Sequence, residues 1–385
     1  MRICLIGPFP PLRGGIAHYN AQLARELIKR HEVTMISFSR QYPTVLFPGR
    51  TQFDRDSPAS ELTADALLDS INPLSWLRAG NRIATIAPDF VVIHWWHPFF
   101  GPCLGTTMRT AKRRFRGSVL FICHNVVPHE PFPLARGLTR FALAAGDAWL
   151  VHSETDRQDL ELLNLRGHTL VVPQPPGKGF GEPIDREQAK SRLGLTGTVL
   201  LFFGLIRRYK GLPHLLQAMP FVLQKADCTL LVVGEFYEGK DECLNLITTL
   251  NLESKVRIID RFVPDHEVSL YFSAADLVVL PYESATQSAI VPIAYAFERP
   301  VIATCVGGLP EAVCDGKTGL LVEPRNPAAL ASAIIRFFEE RLGPAFTRNI
   351  SQRKQFSWTD LAGTIERTVE DCTTSFRRNS TADDG

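Results

Sequence analysis

A strand-to-helix corner between Phe202 and Gly211 holds the residues of this sequence that are best suited to bind an anion. An apolar run from Val199 to Phe203 predicts a buried parallel strand, and this run stops at Gly204. Cationic side chains follow, among them Arg207 and Lys210. Because ligands of open parallel sheets collect at the carboxyl ends of strands, where cations and helix N-terminal amides meet phosphate, we predict that both residues bind phosphate. The alternative is an exposed loop whose cations only face water.

A second set of candidate residues follows the apolar strands of the first half. Gly14 and Gly15 precede a helical pattern, where backbone could approach a ligand closely, although paired glycines also relieve a tight turn. Their spacing from Gly7 does not fit the dinucleotide fingerprint GxGxxG, which argues against a nicotinamide enzyme. His124 comes directly after the predicted strand Val119 to Cys123. A neutral imidazole there could orient a substrate or relay a proton near pH 7, or it could be a hydrogen-bonded structural residue.

Aromatic and imidazole side chains end the predicted strand Phe90 to Trp95, in the order His94-Trp95-Trp96-His97. Such rings could stack on a sugar or an acceptor, and packing in the core explains them equally well. Together with His124 and His129 they also raise the question of a metal site. No HExxH motif or carboxylate-rich pattern accompanies them, so we predict that no metal is required.

Further candidate residues follow strands of the second half: Gly234, Phe262, Val263, Thr286, Gln287 and Ser288. Gly234 ends a strand, and Phe262 with Val263 could form walls for a planar base, with core packing as the alternative. Small polar residues at 284–288 stand at the start of a predicted helix, whose free amides would form a second anion site. Thr286 and Ser288 are the candidate caps of that helix.

Composition excludes several classes of protein. The chain has 385 residues, more than one hydrophobic core normally fills, so we expect two domains. A formal net charge of +2 argues against binding of bulk nucleic acid. Eight scattered cysteines without a CxxC pair indicate a reduced, cytoplasmic protein, and we expect neither a signal peptide nor a transmembrane helix. The basic stretch Lys112 to Arg116 is either a solvated helix end or a weak contact with an anionic membrane at its inner face.

The order of the predicted elements divides the chain in two. Strands alternate with helices in both halves, which predicts parallel sheets covered by helices on both faces. Proline and glycine concentrate between Val172 and Pro183, where neither a helix nor an interior strand would tolerate them. We therefore place the domain boundary between 172 and 173, and we expect two α/β halves that form a cleft between their strand ends.

The combination of these motifs resembles the retaining glycosyltransferases of the GT-B fold, in the large group 1 (family 4) class. The resemblance is carried by Gly14-Gly15, His124, the segment Gly204 to Gly211, the segment Pro300 to Glu311, and Asp315 to Val322. It implies two Rossmann-like domains that face each other across a cleft. Residues 1–172 would form the acceptor-side domain, residues 173–343 the nucleotide-sugar-binding domain, and residues 344–385 a helix that crosses back to the first domain plus a polar tail.

The resemblance also assigns roles to individual residues. Lys210 matches the lysine that binds the diphosphate, His124 the histidine that lies against the donor sugar, and Gly15 the glycine near the phosphate. The family's arginine just after the glycine is absent, because Leu205 stands there. Arg207 would supply that charge from two positions further on.

The family's pair of glutamates, which contact the sugar and the ribose, is also missing. The matching positions are Ala285 and Ile293. Glu283 is the acidic residue that could substitute from two positions away. The resemblance therefore implies a variant group in which the phosphate site carries over and donor recognition does not.

The resemblance implies a retaining glycosyltransferase that moves a hexose from a nucleoside-diphosphate sugar to a saccharide or lipid-linked acceptor, without metal or other cofactor, in cell-surface polysaccharide or glycoconjugate synthesis. His124, Arg207 and Lys210 are the predicted catalytic residues. Two alternatives stay open: a nucleotide-sugar-binding protein that has lost catalysis, which the missing glutamates suggest, and a GT-B type nucleotide-sugar epimerase. Turnover with an acceptor, without one, or not at all distinguishes the three.

Overall fold

The computed structural model describes residues 1–47, 51–53, 62–128, 131–177, 179–354 and 356–368. His129 lies outside these ranges, as does the end of the predicted C-terminal helix. The chain divides into two compact units. The first contains residues 1–175 and the chain from Phe356 onward, and the second contains residues 176–355.

The first unit is built on a seven-stranded parallel sheet in the order β3-β2-β1-β4-β5-β6-β7. Its strands are β1 (Arg2–Ile6), β2 (Glu32–Arg40), β3 (Asp65–Asp69), β4 (Phe90–Trp95), β5 (Ser118–Cys123), β6 (Ala148–Val151) and β7 (His168–Val171). Every residue of β4 and β5 is buried. These strands read as unbroken apolar runs because helices cover both faces of a parallel sheet.

The helices of the first unit connect consecutive strands. They are α1 (Gly15–Ile28), α2 (Pro73–Ile86), α3 (Gly101–Ala111), α4 (Ala135–Leu143) and α5 (Glu154–Glu161). One-turn 3-10 helices lie at Thr44–Leu46 and Pro98–Phe100. A further helix at 358–368 packs on this unit through Trp358, Leu361 and Ile365.

The second unit contains a six-stranded parallel sheet in the order β10-β9-β8-β11-β12-β13. Its strands are β8 (Thr198–Phe203), β9 (Cys228–Val233), β10 (Val256–Ile259), β11 (Leu277–Leu280), β12 (Val301–Thr304) and β13 (Gly319–Val322). One core cluster lies on each face of this sheet. The alternation of buried residues along β8 divides between them, with Val199 in one cluster and Leu200 in the other.

Eight helices accompany the second sheet within the described ranges. They are α6 (Arg186–Arg192), α7 (Leu212–Leu223), α8 (Lys240–Thr249), α9 (Val268–Ala274), α10 (Ile290–Ala296), α11 (Leu309–Ala312), α12 (Pro327–Glu339) and α13 (Gly343–Gln352). Short 3-10 turns precede two of these helices, at Arg208–Lys210 and Asp265–Glu267.

The strand orders place a topological switch point in each sheet, where neighbouring strands send their connections in opposite directions. The switch point lies between β1 and β4 in the first unit and between β8 and β11 in the second. Ligands of open α/β sheets bind in the crevice outside the carboxyl ends of the strands at such points. A ligand of the second unit is therefore expected beside the residues after β8 and β11, and a ligand of the first unit beside the residues after β1 and β4.

The return of the chain to the first unit begins later than the sequence led us to expect. Helix α13 packs on the second unit, where Phe346 and Ile350 are buried in its core clusters. The chain joins the first unit from Phe356 onward. The boundary before the second unit lies at Pro175 and Pro176, inside the stretch rich in proline and glycine.

Candidate functional site

The corner after β8 brings Lys210 back onto the end of the strand from which the chain has just departed. Gly204 has a φ of 105°, and a Cβ at this position would lie 3.2 Å from Lys210 Nζ. The positive φ favours glycine at position 204, and a Cβ there would require the Lys210 ammonium to shift by a few tenths of an ångström. Burial and the nearby charge of Arg207 lower the pKa of Lys210 to about 8. Within the part of the chain that the structure describes, Lys210 forms no salt bridge.

Gly234, at the end of β9, supports the same corner. Its φ is 145°, and a Cβ there would lie 2.0 Å from the carbonyl oxygen of Gly204. The two glycines thus allow adjacent strand ends to pack backbone against backbone. The role of Gly234 in this geometry is to position Gly204, and contact with a donor stays a prediction.

Arg207 lies next to Lys210 and is partly exposed. Its guanidinium carbon lies 5.4 Å from the centroid of the Tyr237 ring, a cation–π distance. Two cations held close together without ligand repel each other, and an anion between them relieves that repulsion. The structure thus brings together the two predicted phosphate-binding residues at the β8 end of the switch point.

Tyr282 joins Lys210 to the residues after β11. Its ring centroid lies 5.7 Å from Lys210 Nζ, and its hydroxyl lies 3.3 Å from Ser288 Oγ. Burial raises the pKa of the Tyr282 phenol, so it stays neutral. Ser288 Oγ also accepts a hydrogen bond at 3.2 Å from the backbone N–H of Ile290, the first residue of α10. The N-cap of α10 is Ala289, so neither Thr286 nor Ser288 is the cap that the sequence predicted.

The two other predicted residues of this segment differ in exposure. Thr286 is buried, and its carbonyl oxygen accepts a hydrogen bond from the N–H of Gly308 at 2.8 Å. Gln287 is partly exposed. Thr286 therefore fixes the loop to the segment after β12, and Ser288 and Gln287 are the side chains that lie nearer to solvent.

Glu283 is held by cations of its own unit. His214 Nε2 lies 3.0 Å from Glu283 Oε1, and Arg325 Nε donates to Glu283 Oε2 at 2.8 Å. Both carboxylate oxygens are thus engaged. Ala285 and Ile293, where the family has glutamates, are buried and belong to the apolar core. Glu283 is therefore the only one of the three with a carboxylate, and that carboxylate is already engaged.

Phe262 and Val263, the predicted walls for a base, lie after β10. Val263 is buried in the core cluster of the second unit. Phe262 is partly exposed, and its carbonyl oxygen accepts a hydrogen bond from Arg261 Nη1 at 3.3 Å. Packing accounts for Val263, and Phe262 is the residue of the pair with accessible surface.

In the first unit, the predicted glycines lie at the start of α1. Gly15 is the first residue of the helix, and Gly14 precedes it with a φ of 111°. A Cβ at either position would meet no atom of the described residues within 4 Å. The backbone at this helix N-terminus is therefore accessible, as phosphate binding by its amides requires.

His124 lies beside a second histidine that comes from the neighbouring strand. Its Nε2 is 2.9 Å from His94 Nδ1, and the two rings stack with an interplanar angle of 14°. Burial, followed by the neighbouring imidazoles, lowers the pKa of His124, and burial together with His152 lowers that of His94 to about 3. Both imidazoles are therefore neutral near pH 7, and one of the two facing nitrogens carries the shared proton.

Tyr19 and His152 complete this group, which we call the histidine cluster: Tyr19, His94, His124 and His152. His152 Nδ1 lies 2.9 Å from the carbonyl oxygen of Val172, which can only accept, so Nδ1 must donate. Burial lowers the pKa of His152 to about 4, so its Nε2 is unprotonated near pH 7. Tyr19 therefore donates its hydroxyl proton to His152 Nε2, over 3.1 Å.

The histidine cluster extends the prediction made from the sequence. His124 and His94 were predicted as candidates, whereas Tyr19 and His152 were not. The one signal for His152 was its position directly after an apolar strand, the same signal that identified His124. No sequence signal identified Tyr19, because its place in the pattern of helix α1 predicts only that it is buried, as it is.

Replacement of Tyr19 by Phe is expected to lower the free energy of unfolding of the first unit by about 1–3 kcal/mol, because His152 Nε2 would be left buried without a donor. Tryptophan fluorescence during urea unfolding measures this change selectively, since all five tryptophans belong to the first unit. An unchanged midpoint would contradict the assigned hydrogen bond.

The aromatic residues after His94 are part of the core. Trp95 and Trp96 are buried, and Trp96 Nε1 donates to the hydroxyl of Tyr42 at 3.0 Å. His97 Nδ1 accepts from the N–H of Phe99 at 3.1 Å, so it caps the following turn. Of the alternatives for this segment, core packing describes both tryptophans, and stacking on a sugar has no support from them.

The residues of the basic stretch after α3 differ in their exposure and in their contacts. Lys112 forms a salt bridge with Asp147 at 3.0 Å, and Phe115 is buried. Arg113, Arg114 and Arg116 are exposed, and their contact with a membrane stays a prediction. None of the helices within the described ranges is long and apolar enough to cross a lipid bilayer.

No cluster of three or more histidine, cysteine, aspartate or glutamate side chains that could hold a metal ion occurs among the residues that the structure describes. In the histidine cluster, His94 Nδ1 pairs with His124 Nε2, Tyr19 pairs with His152 Nε2, and His152 Nδ1 pairs with a backbone carbonyl, whereas His94 Nε2 is buried without a hydrogen-bond partner among the described residues. That pairing is the arrangement of a hydrogen-bonded group. Independence from metal stays a prediction.

Both halves of the chain match models of known families. Residues 13–175 match the model described as Glycosyltransferase Family 4, and residues 197–340 match the model described as Glycosyl transferases group 1. The chain is 32% identical over 370 residues to the D-inositol 3-phosphate glycosyltransferase of Frankia alni, which covers 85% of this chain and 86% of that protein. It is 35% identical over 234 residues to D-inositol 3-phosphate glycosyltransferase 1 of Catenulispora acidiphila, over 57% of this chain and only 56% of that protein.

Solved structures share the fold. Sucrose-phosphate synthase from Thermosynechococcus elongatus superposes with a TM-score of 0.74 at 21% identity, over 99% of both chains. HepE from Anabaena, solved in complex with UDP, superposes with a TM-score of 0.72 at 18% identity, over 96% of this chain and 100% of that chain. The predicted α/β fold class, GT-B, is confirmed. The chain belongs to the group 1 (family 4) glycosyltransferases and is a transferase enzyme.

Proposed function

We propose that this glycosyltransferase retains the anomeric configuration and moves a hexose from a nucleoside-diphosphate sugar to a saccharide or lipid-linked acceptor. The observation that carries the proposal is the cationic corner at the switch point between β8 and β11. Lys210 lies there against Gly204, partly buried and beside Arg207. A diphosphate is an anion of the size and charge that two such cations can bind.

The chemistry requires the bond between the anomeric carbon and the diphosphate to break, with an oxocarbenium-like transition state. Negative charge grows on the leaving phosphate as that bond lengthens. Arg207 and Lys210 would stabilise this charge, with support from Ser288 and the amides near it. Preorganised charges aimed at a developing anion are often the largest single contribution to catalysis.

His124 is our candidate for contact with the donor sugar. Its imidazole is neutral near pH 7, so it can accept or donate a hydrogen bond without adding positive charge beside an oxocarbenium-like centre. The candidate residues of the second unit offer no free carboxylate in this arrangement, because Glu283 is held by His214 and Arg325. We therefore propose that the acceptor attacks from the face that the diphosphate leaves, without a covalent intermediate on a carboxylate.

Two lines of support bear on the substrates. HepE, which shares the fold, has been solved in complex with UDP and with UDP-glucose, which favours a uridine diphospho-sugar as the first donor to test. The relatives act, by name, on D-inositol 3-phosphate, which is a small polar acceptor. We propose a role in the synthesis of a cell-surface polysaccharide or glycoconjugate, and a reaction that needs no metal.

The test is a screen of UDP-, GDP- and ADP-hexoses for transfer, followed by NMR of the anomeric proton in the product. We expect one nucleotide to be preferred, turnover to persist with EDTA present, and an α-linked donor to give an α-linked product. An inverted product would overturn the proposed stereochemistry, and loss of turnover with EDTA would overturn independence from metal.

A second candidate function has a specific observation behind it. Ala285 and Ile293 are buried apolar residues, and Glu283 is engaged elsewhere, so the donor site lacks the carboxylates on which the family relies. A nucleotide-sugar-binding protein without catalysis would have the same features. Tight binding of a diphospho-sugar with no transfer to any acceptor and no interconversion of the donor would favour it over both the transferase and an epimerase.

A further inference from the structure

We propose that Tyr282 is a positioning residue for the diphosphate site. The face of its ring holds the Lys210 ammonium, and its hydroxyl holds Ser288. This inference rests on the proposed binding of a nucleoside diphosphate at Arg207 and Lys210. Tyr282 is 3% exposed and follows β11 at the switch point. The Thr304 hydroxyl donates a hydrogen bond to the backbone carbonyl of Tyr282 at 2.6 Å, so Tyr282 is fixed to the neighbouring strand as well.

The ring of Tyr282 faces a cation that has no carboxylate partner among the described residues. Lys210 Nζ lies 5.7 Å from the ring centroid, within the range of a cation–π interaction. Burial and the positive charge of Arg207 both lower the pKa of Lys210, so both disfavour its charged ammonium form. The carboxylate of Glu283, next in sequence to Tyr282, is taken by His214 and Arg325. The negative face of the Tyr282 ring is therefore the contact that favours a charged, ordered Lys210.

The hydroxyl of Tyr282 acts on the other wall of the site. It lies 3.3 Å from Ser288 Oγ, which in turn accepts the N–H of Ile290 at the start of α10. Ile290 also packs near Gly204, where a Cβ would lie 3.4 Å from its Cδ1. Tyr282 thus contacts both the corner after β8 and the loop after β11. A change in Tyr282 should therefore disturb both segments.

Two substitutions separate the ring from the hydroxyl. Tyr282→Phe keeps the ring face and removes the contact with Ser288, whereas Tyr282→Met removes both. The measurement is the affinity for UDP by titration calorimetry from pH 7 to pH 9.5, beside Ser288→Ala and Lys210→Ala. Tyr295→Phe is the matched control, because Tyr295 is a buried tyrosine of the same unit whose hydroxyl contacts Thr318 instead.

We expect Tyr282→Met to weaken UDP binding about threefold to tenfold and to move the alkaline loss of binding to lower pH, because the ammonium form of Lys210 loses its partner. Tyr282→Phe should keep that pH midpoint. Its loss of affinity should equal that of Ser288→Ala, and the double variant should bind no more weakly than either single one. Tyr295→Phe should behave as the wild type.

Equal pH midpoints in Tyr282→Met and the wild type would overturn the role of the ring. Additive losses in the Tyr282→Phe/Ser288→Ala double variant would overturn that of the hydroxyl. If Tyr282→Met does not fold, phenylalanine analogues with one to five ring fluorines at 282 test the same point, since fluorine weakens the negative face and keeps the shape. Unchanged UDP binding in Lys210→Ala would instead refute the proposed phosphate site, so the two failures are distinguishable.

Discussion

Replacement of Lys210 by Ala is expected to lower the rate of sugar transfer by a factor on the order of 10²–10³, the usual cost of removing one preorganised donor from a developing anion. Lys210 lies against Gly204, partly buried, and water that fills its place in the variant carries no positive charge to stabilise the leaving phosphate. The loss should appear in kcat as well as in kcat/KM, because charge on the leaving diphosphate is greatest in the transition state.

The control for this experiment is Lys225→Ala. Lys225 lies just after α7 in the same unit, is exposed, and its side chain forms no hydrogen bond or ion pair with the described residues. It should transfer sugar at the wild-type rate. Arg207→Ala should reduce transfer in the same direction as Lys210→Ala. If both Arg207→Ala and Lys210→Ala keep the wild-type rate, with thermal unfolding unchanged, the assignment of the phosphate site is wrong.

The buried strands could be predicted closely from the sequence. The strand Phe90–Trp95 was predicted with both of its ends, and β8 to within one residue, because each is an apolar run that helices cover on both faces. The edge strand β3 was missed. Its residues Asp65–Asp69 mix two aspartates with three apolar residues, and Leu68 is the only one of the five that is buried, so no long apolar run marks it.

Two short helices were also not predicted from the local sequence. Helix α4 was not predicted, because its nine residues include two arginines and a glycine and only three are buried. Helix α6, with seven residues, is even shorter and mostly charged. Such helices depend on the tertiary contacts that they make, and a periodic pattern cannot emerge in so few residues.

The site was predictable where chemistry follows a strand, and unpredictable where contacts come from distant residues. His124 stands directly after an apolar run, and Arg207 and Lys210 stand in the loop after another one, which ends at Phe203, so position alone made them candidates. The partners of Glu283 are 69 and 42 residues away, and Tyr19 meets His152 across 133 residues. Only the fold brings such pairs together, which is why the sequence offered Glu283 as a substitute for the missing glutamates.

Acidification is expected to destabilise the first unit strongly between about pH 6.5 and pH 4. Burial lowers the pKa of His152 to about 4, partly offset by its hydrogen bond to Val172, and lowers that of His94 to about 3. An unfolded histidine has a pKa of about 6.5. In this window the unfolded chain therefore binds protons that the folded chain does not, so the free energy of unfolding falls as the pH falls.

His152 alone accounts for a loss on the order of 3 kcal/mol by pH 4, since each pKa unit corresponds to about 1.4 kcal/mol. Urea unfolding followed by tryptophan fluorescence at pH 7, 6, 5 and 4.5 measures the slope. His152→Asn should keep the donor to Val172, be less stable than the wild type at pH 7, and lose stability more slowly on acidification, by about one proton per molecule. His168→Asn, at an exposed histidine of the same unit, is the control and should keep the wild-type slope. An equal slope in His152→Asn and the wild type would mean that His152 is not held neutral in the folded protein.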